Sequence, residues 1–279
     1  MHRFLQVFHK QSCNIIGMVH IGALPGTPLY KSNWLEIIEK AKYETEIYKK
    51  YKLDSVLIEN MHDVPYTQDH DMGPETVACM SKVAQEIRNI MPASKPVGIQ
   101  ILASANEQAL AVAKACNLQY IRAEGFVFGH IADEGYTNAC AGRLLRYRRH
   151  IDASRILIFT DLKKKHSSHA VTNDISLLET AKAAQFFLSD GVIVTGLSTG
   201  QAAKLEDILS LRGRIDIPLI VGSGVTGNNL KDYFYNLQAA IIGSYFKQDG
   251  HWANDLCEET IENFMHNAYD LTPKNCLQI

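Results

Sequence analysis

The stretch TDLKKKHSSH gathers Asp161, Lys163, Lys164, Lys165, His166 and His169 within ten residues. A carboxylate, ammonium groups and imidazoles held this close shift one another's pKa, which is how side chains come to exchange protons near neutrality. Asp161 is therefore a candidate general acid/base. Lys163, Lys165 or His166 would stabilise an enolate or an anionic leaving group. A lysine held as the neutral amine offers a different chemistry, attack on a carbonyl to form a Schiff base, and the spacing does not say which lysine that would be. Most lysine runs are solvated loops. This one directly follows the apolar RILIF, which reads as a buried strand with Asp161 at its end.

Glycines suggest a second kind of site. VGSGVTGNN carries Gly222, Ser223 and Gly224 straight after an apolar run, and GSYFK carries Gly243 and Ser244 in the same setting. Glycine reaches backbone conformations that a β-carbon forbids, and bare N–H groups in such turns cradle anions, phosphate above all. One such turn is as readily a plain structural turn. Two at consecutive strand ends favour phosphate, with Ser223 and Ser244 as added hydroxyl donors.

Polar groups also follow other apolar runs: His20, then Glu59 and Asn60, then Arg122 and Glu124. Each alone fits a structural ion pair. Together, His20, Glu59, Glu124, Asp161 and His166 supply imidazole and carboxylate donors suited to a divalent metal. That alternative rests on no compact ligand motif such as H-E-x-x-H, and nothing in the sequence demands another cofactor.

The elements that must position these groups alternate from end to end. Short β-branched runs predict strands over 14–21, 55–60, 96–102, 120–125, 155–162, 191–196, 218–224 and 239–246. Amphipathic segments lie between them. In the first helix Trp34, Ile38, Ala41, Thr45 and Tyr48 recur at helical spacing behind Asn33, an N-cap candidate with Glu36 three residues on. The others are predicted over 75–91, 106–116, 139–151, 174–188, 201–211, 229–237 and 253–269. Eight strands, each followed by a helix, predict a (β/α)8 TIM barrel. An open doubly wound sheet uses the same unit and is the runner-up, but polar residues after nearly every strand favour the barrel, whose loops open on one face. Strand one should then lie parallel to strand eight, GMVHI beside AAIIG. No linker interrupts 1–279, so a single domain is expected.

With 279 residues and 46% hydrophobic content, the chain can bury a large core. Its 28 Lys+Arg against 30 Asp+Glu leave a formal charge of −2, no field for gripping a nucleic-acid backbone or an acidic membrane. The six cysteines (Cys13, Cys79, Cys116, Cys140, Cys257, Cys276) are scattered without C-x-x-C spacing, so neither a zinc module nor a disulfide framework is expected. No apolar run reaches the roughly 20 residues of a membrane helix, and a cytoplasmic location is expected. Residues 1–13 carry Arg3 and Lys10 and no acid, a faint mitochondrial-leader character. A homo-oligomer is left open.

IIGMVHIGALPGTPLY, LIENMHDVPY, ADEG, TDLKKKHS, VTGLSTG, VGSGVTGNN and IIGSYFKQDG, in this order, resemble the BtpA family, known for a member linked to photosystem I biogenesis. The resemblance covers almost the whole chain. It implies a TIM barrel related to the ribulose-phosphate-binding barrels, and it implies a fold more than a reaction. Residue by residue, it implies functional weight at Gly17, His20, Pro25, Gly26 and Pro28, at Glu59, Asn60 and Asp63, and at Arg122. It does the same for Asp133 and Gly135, for Asp161, Lys163, Lys165 and His166, and for Gly196, Thr199 and Gly200. The chain departs from the family's pattern in strand three, GIQILAS, and at Glu124, where the pattern leads one to expect asparagine.

The expected function is an enzyme acting on a phosphorylated small metabolite, a sugar or nucleoside phosphate, by lyase or isomerase chemistry. Its catalytic candidates are Asp161, Lys163, Lys165, His166 and Glu59. The ligand-binding candidates are Gly222, Ser223, Gly224, Gly243, Ser244, His20, Asn60, Arg122 and Gly196. The alternatives are a non-catalytic assembly or stability factor, as the photosystem link implies, and a sensor that binds a phosphometabolite without turning it over.

Overall fold

The computed structural model describes residues 1–196 and 199–272. Its strands are β1 (Asn14–His20), β2 (Ser55–Glu59), β3 (Val97–Gln100), β4 (Tyr120–Ala123), β5 (Leu157–Leu162), β6 (Gly191–Val194), β7 (Leu219–Val221) and β8 (Ala239–Ile242). Each pairs in parallel with the next in sequence, and β8 returns to β1, so the sheet closes into a barrel and the open sheet is excluded. The closing register sets 14–17 against 239–242, so Ala239 faces Asn14 where the sequence reading set it beside Gly17. Tilted, staggered strands are what closure requires, and the stagger leaves His20 beyond the last pair with β8.

Helix α1 (His2–Phe8) comes first; α2 (Trp34–Lys50), α3 (Pro74–Ile90), α4 (Asn106–Ala115), α5 (Ala141–His150), α6 (Leu177–Phe186), α7 (Leu205–Leu211), α8 (Leu230–Phe234) and α9 (Glu258–Leu271) follow the strands. α2 buries Ile38, Ala41, Thr45 and Tyr48, as its spacing requires, but Asn33 makes no side-chain cap and instead donates to Glu36 Oε2 at 3.2 Å. α7 and α8 start later than predicted because the preceding residues hold loops in place: Ser223 Oγ donates to the Gln201 carbonyl at 3.0 Å, and Asn229 Nδ2 to that of Gly224 at 3.0 Å.

Side chains alternate in and out of the barrel with period two. Ile16 and Met18, Leu57, Tyr120, and Leu157 and Phe159 fill its interior. α1 closes the N-terminal end. Phe4 stacks on Phe8 at 4.4 Å between ring centroids, Phe8 lies 5.6 Å from Tyr120, and Phe4 lies 5.9 Å from Phe159. The stretch read as faintly leader-like thus supplies part of the core, and its Arg3 pairs with Asp190. Seven residues of helix are too few for periodicity to announce.

The sequence reading also missed a small antiparallel sheet of His130–Ala132, Gly135–Thr137 and Ser167–Ser168, which ties the loop after β4 to the loop after β5. Cys13, Cys79, Cys116, Cys140 and Cys257 are free thiols. Cys276, and Leu197 and Ser198 of the VTGLSTG motif, lie outside the described residues. Among the described residues no helix is long and apolar enough to cross a membrane.

Candidate active site

The same alternation carries inward-facing positions one layer above the apolar core, where His20, Glu59, Arg122 and Asp161 stand near the C-terminal ends of β1, β2, β4 and β5. Arg122 Nε and Nη2 donate to Asp161 Oδ1 and Oδ2, each at 2.9 Å, with both side chains almost wholly buried. A bidentate pair engages both carboxylate oxygens. Asp161, the expected acid/base, is placed as the counter-ion that keeps a guanidinium under the mouth.

Glu59 is placed differently. It is buried, no described residue donates a hydrogen bond to its carboxyl, and its nearest ring neighbour is His20, whose Nε2 lies 3.6 Å from Oε2. Burial raises its pKa, and Arg122 and Lys165 oppose that more weakly. A carboxyl held toward its neutral form in this way is suited to general acid/base work. His20 Nδ1 lies 3.0 Å from the Trp252 carbonyl oxygen. A carbonyl only accepts, so Nδ1 carries the proton and Nε2 turns its lone pair toward Glu59. Burial, aided by Lys247, pushes the imidazole pKa down to about 3.

The three consecutive lysines go three ways. Lys163, at φ 47°, donates to the Ile175 carbonyl at 2.7 Å, away from the mouth. Lys164 Nζ lies 3.4 Å from Glu124 Oε2 and also pairs with Glu134. Lys165 enters the mouth, with Nζ 3.3 Å from Thr199 Oγ1, and burial and the Arg122 guanidinium lower its pKa. His166 sits exposed on the rim, its Nε2 3.1 Å from the same hydroxyl, and burial and Lys165 hold its pKa below the usual value.

A cavity of about 170 Å³ joins these groups to the glycine turns: Glu59, Arg122 and Lys165 line it together with Gly200, Gly222, Ser223, Gly224, Gly243 and Ser244, and a β-carbon on Gly222 would stand 3.5 Å from Arg122 Nη2. None of the N–H groups of Ser223, Gly224, Gly243 and Ser244 donates to a described residue. Gly224 is left-handed, at φ 65°, a conformation found in turns whose successive N–H groups converge on an anion. The Ser223–Gly224 half of the cradle is loop backbone, because α8 begins only at Leu230, and the other half opens a single 3-10 turn, Ser244–Phe246.

Other sequence candidates prove to hold the loops. The Gly222 N–H donates to the Val194 carbonyl at 2.8 Å. The Ser223 hydroxyl accepts from Gly196 N–H at 2.7 Å and donates to Gln201, so it is not a spare donor for a ligand. A β-carbon at Gly196 would stand 2.2 Å from the Gln201 carbonyl oxygen. Asn60 Oδ1 accepts from Leu102 N–H at 2.7 Å and its Nδ2 donates to Asp63 at 2.8 Å, while Asp63 accepts from Leu24 N–H at 2.8 Å. This buried chain clamps the loops after β1, β2 and β3 together.

The five residues considered for a metal do not form one donor set. Asp161 faces Arg122, Glu124 accepts from Gln100 and Ser104 and pairs with Lys164, and His166 is on the rim. Among the described residues no group of three His, Cys, Asp or Glu side chains is placed to hold a metal ion. Sequence reasoning missed Trp252, which acts through a backbone carbonyl that any residue would carry.

A closed parallel barrel of eight strands, each followed by a helix, with its polar groups and glycine turns at the C-terminal mouth, defines a (β/α)8 barrel. The profile of the BtpA family matches residues 11–270, and the chain belongs to that family. An uncharacterized mitochondrial protein of Caenorhabditis elegans is 45% identical over 92% of this chain and 93% of its own length. The photosystem I biogenesis protein BtpA of Synechocystis is 29% identical over 85% of this chain and 81% of its own. Phosphoribosyl anthranilate isomerase from Thermus thermophilus shares the fold with a TM-score of 0.59 at 10% identity, over 93% of this chain and 100% of that one.

Proposed function

We propose that this BtpA-family barrel is an enzyme that acts on a phosphorylated small metabolite, a sugar or nucleoside phosphate, by lyase or isomerase chemistry at its mouth. One observation carries the reading: Glu59, a buried carboxyl free of hydrogen-bond donors among the described residues, shares a cavity with Lys165 and with four unengaged backbone N–H groups. An anion anchored on the glycine turns leaves its carbon skeleton over Glu59 and Lys165. Glu59 then takes or returns a proton, and the N–H groups of Lys165 and Arg122 stabilise the oxyanion that forms. At about 170 Å³ the cavity suits a compact ligand, below the ~300–1,000 Å³ of drug-sized pockets. The phosphoribosyl substrate named for the Thermus enzyme supports a phosphorylated ligand by analogy of fold, which alone does not fix chemistry. The mitochondrial name of the worm relative supports a mitochondrial location over the cytoplasmic one, and import of the tagged chain decides between them.

Calorimetry with D-ribose 5-phosphate, D-ribose and inorganic phosphate tests the site, and proton exchange in D2O across sugar and nucleoside phosphates tests the chemistry. We expect binding that depends on the phosphate and is lost in Ser244→Asp, which sets a carboxylate in the cradle. Equal affinity for ribose and its phosphate overturns the anion site. Phosphate-dependent binding with neither exchange nor turnover favours the sensor.

A further inference from the structure

Resting on the phosphorylated-metabolite reading, we propose that Lys165 is a covalent nucleophile that forms a Schiff base with the carbonyl carbon of a phosphorylated aldehyde or ketone, with Glu59 carrying the protons. The geometry selects this lysine from the three. Lys163 is held by the Ile175 carbonyl, and Lys164 lies between Glu124 and Glu134. Lys165 has no carboxylate within ion-pair distance among the described residues, and its hydrogen bond to Thr199 is a long one at 3.3 Å. It lines the same cavity as Glu59 and the glycine cradle. An ammonium half-buried beside a guanidinium is held toward the neutral amine that attacks carbonyls, and desolvation and Arg122 do lower its pKa.

The step balances with the groups present. Nζ of the neutral amine bonds to the carbonyl carbon, and the π pair of C=O moves to oxygen. The oxygen gains a proton and the nitrogen loses one through Glu59, giving a neutral carbinolamine. The Glu59 carboxyl then protonates the hydroxyl, which leaves as water while the nitrogen lone pair closes C=N⁺. One amine, one carbonyl and one proton become one iminium and one water. The iminium accepts the electron pair of a neighbouring C–H or C–C bond as that bond breaks, and the Glu59 carboxylate takes the proton released from carbon or from a β-hydroxyl. Protonation of the enamine and addition of water reverse the sequence and free Lys165.

The test incubates the intact protein with glyceraldehyde 3-phosphate, dihydroxyacetone phosphate and pyridoxal 5′-phosphate, each beside its unphosphorylated counterpart, and traps with borohydride before peptide mass mapping. The expected adduct lies on Lys165, depends on the phosphate, forms at lower pH than labelling of surface lysines, and is lost in Lys165→Arg. The wild-type map names the modified lysine directly, so the result stands even if that variant folds poorly. Calorimetry on the same samples separates the two ideas. Phosphate-dependent binding with no adduct at Lys165, or labelling spread evenly over surface lysines, overturns the Schiff base alone. Absence of both binding and adduct overturns the anion site as well.

Discussion

Glu59 ends β2 and Asp161 stands one residue from the end of β5; both are buried carboxylates facing into the same barrel, yet they are placed for different work. The neighbouring strands decide. β5 pairs with β4, which supplies Arg122 to engage both Asp161 oxygens at 2.9 Å. β2 is flanked by β1 and β3, whose residues in register with Glu59 are His20 and Gln100. His20 is held neutral, and Gln100 turns its amide to Glu124 at 3.1 Å. A strand-end carboxylate is thus available for chemistry only where its cross-strand partners leave it unpaired.

The contrast is broken most directly at Glu59. Glu59→Gln is expected to lower turnover by the roughly 10²–10⁴-fold of a lost general acid/base. Its stability should match or exceed wild type near neutral pH. Burial raises the Glu59 pKa above its ordinary 4.5, so the stability tied to its proton is complete below that value and lost as pH rises through the higher folded one. The amide has no such loss. Urea unfolding across that window, beside turnover, checks both halves.

Asp161→Asn should do the reverse. It leaves the Arg122 cation buried without its counter-charge, and breaking such a pair costs about 3–5 kcal/mol of stability. Replacing both partners, Arg122→Met with Asp161→Leu, should recover much of it, read as the midpoint of urea unfolding. Should Asp161→Asn keep full stability and abolish turnover, the two carboxylates have been assigned in the wrong order.

His20 gives a smaller, pH-limited effect that vanishes at neutrality. Its folded pKa of about 3 lies below the ordinary 6.5, so its contribution is intact above 6.5 and lost as pH falls through that window, where the unfolded chain binds the proton first. His20→Asn should flatten this part of the stability curve. An imidazole that charges near 6.5 by NMR would remove the neutral lone pair facing Glu59.

Much of this was legible beforehand. Apolar runs and helical stripes gave the eight βα units, and the period of two that buries Met18, Leu57, Tyr120 and Phe159 also turns His20, Glu59, Arg122 and Asp161 inward. What a single strand's pattern cannot hold is the partner across the sheet, so nothing in the sequence separated Asp161 from Glu59. Nor could composition foresee that Ser223 would serve Gly196 and Gln201, or that the Trp252 carbonyl would fix His20. The lysine run was illegible for a further reason. Lys163 and His166 take left-handed backbone conformations, φ 47° and 53°, which non-glycine residues adopt too seldom for sequence to signal.

That twist sharpens the comparison to two lysines of one loop and sets the smallest expected effect. Lys163 donates to the Ile175 carbonyl at 2.7 Å, bracing the loop without entering the cavity. Lys163→Gln should therefore cost only the about 0.5–1.5 kcal/mol of a single hydrogen bond and leave the affinity for D-ribose 5-phosphate unchanged in calorimetry. Lys165→Gln removes a half-buried ammonium with no carboxylate at ion-pair distance among the described residues, so stability should hold while the affinity falls. A weakened affinity in the Lys163 variant would mean that the loop, not the side chain it delivers, governs the site. Equal behaviour of the two variants would return the whole run to a solvated surface, the ordinary fate of such sequences.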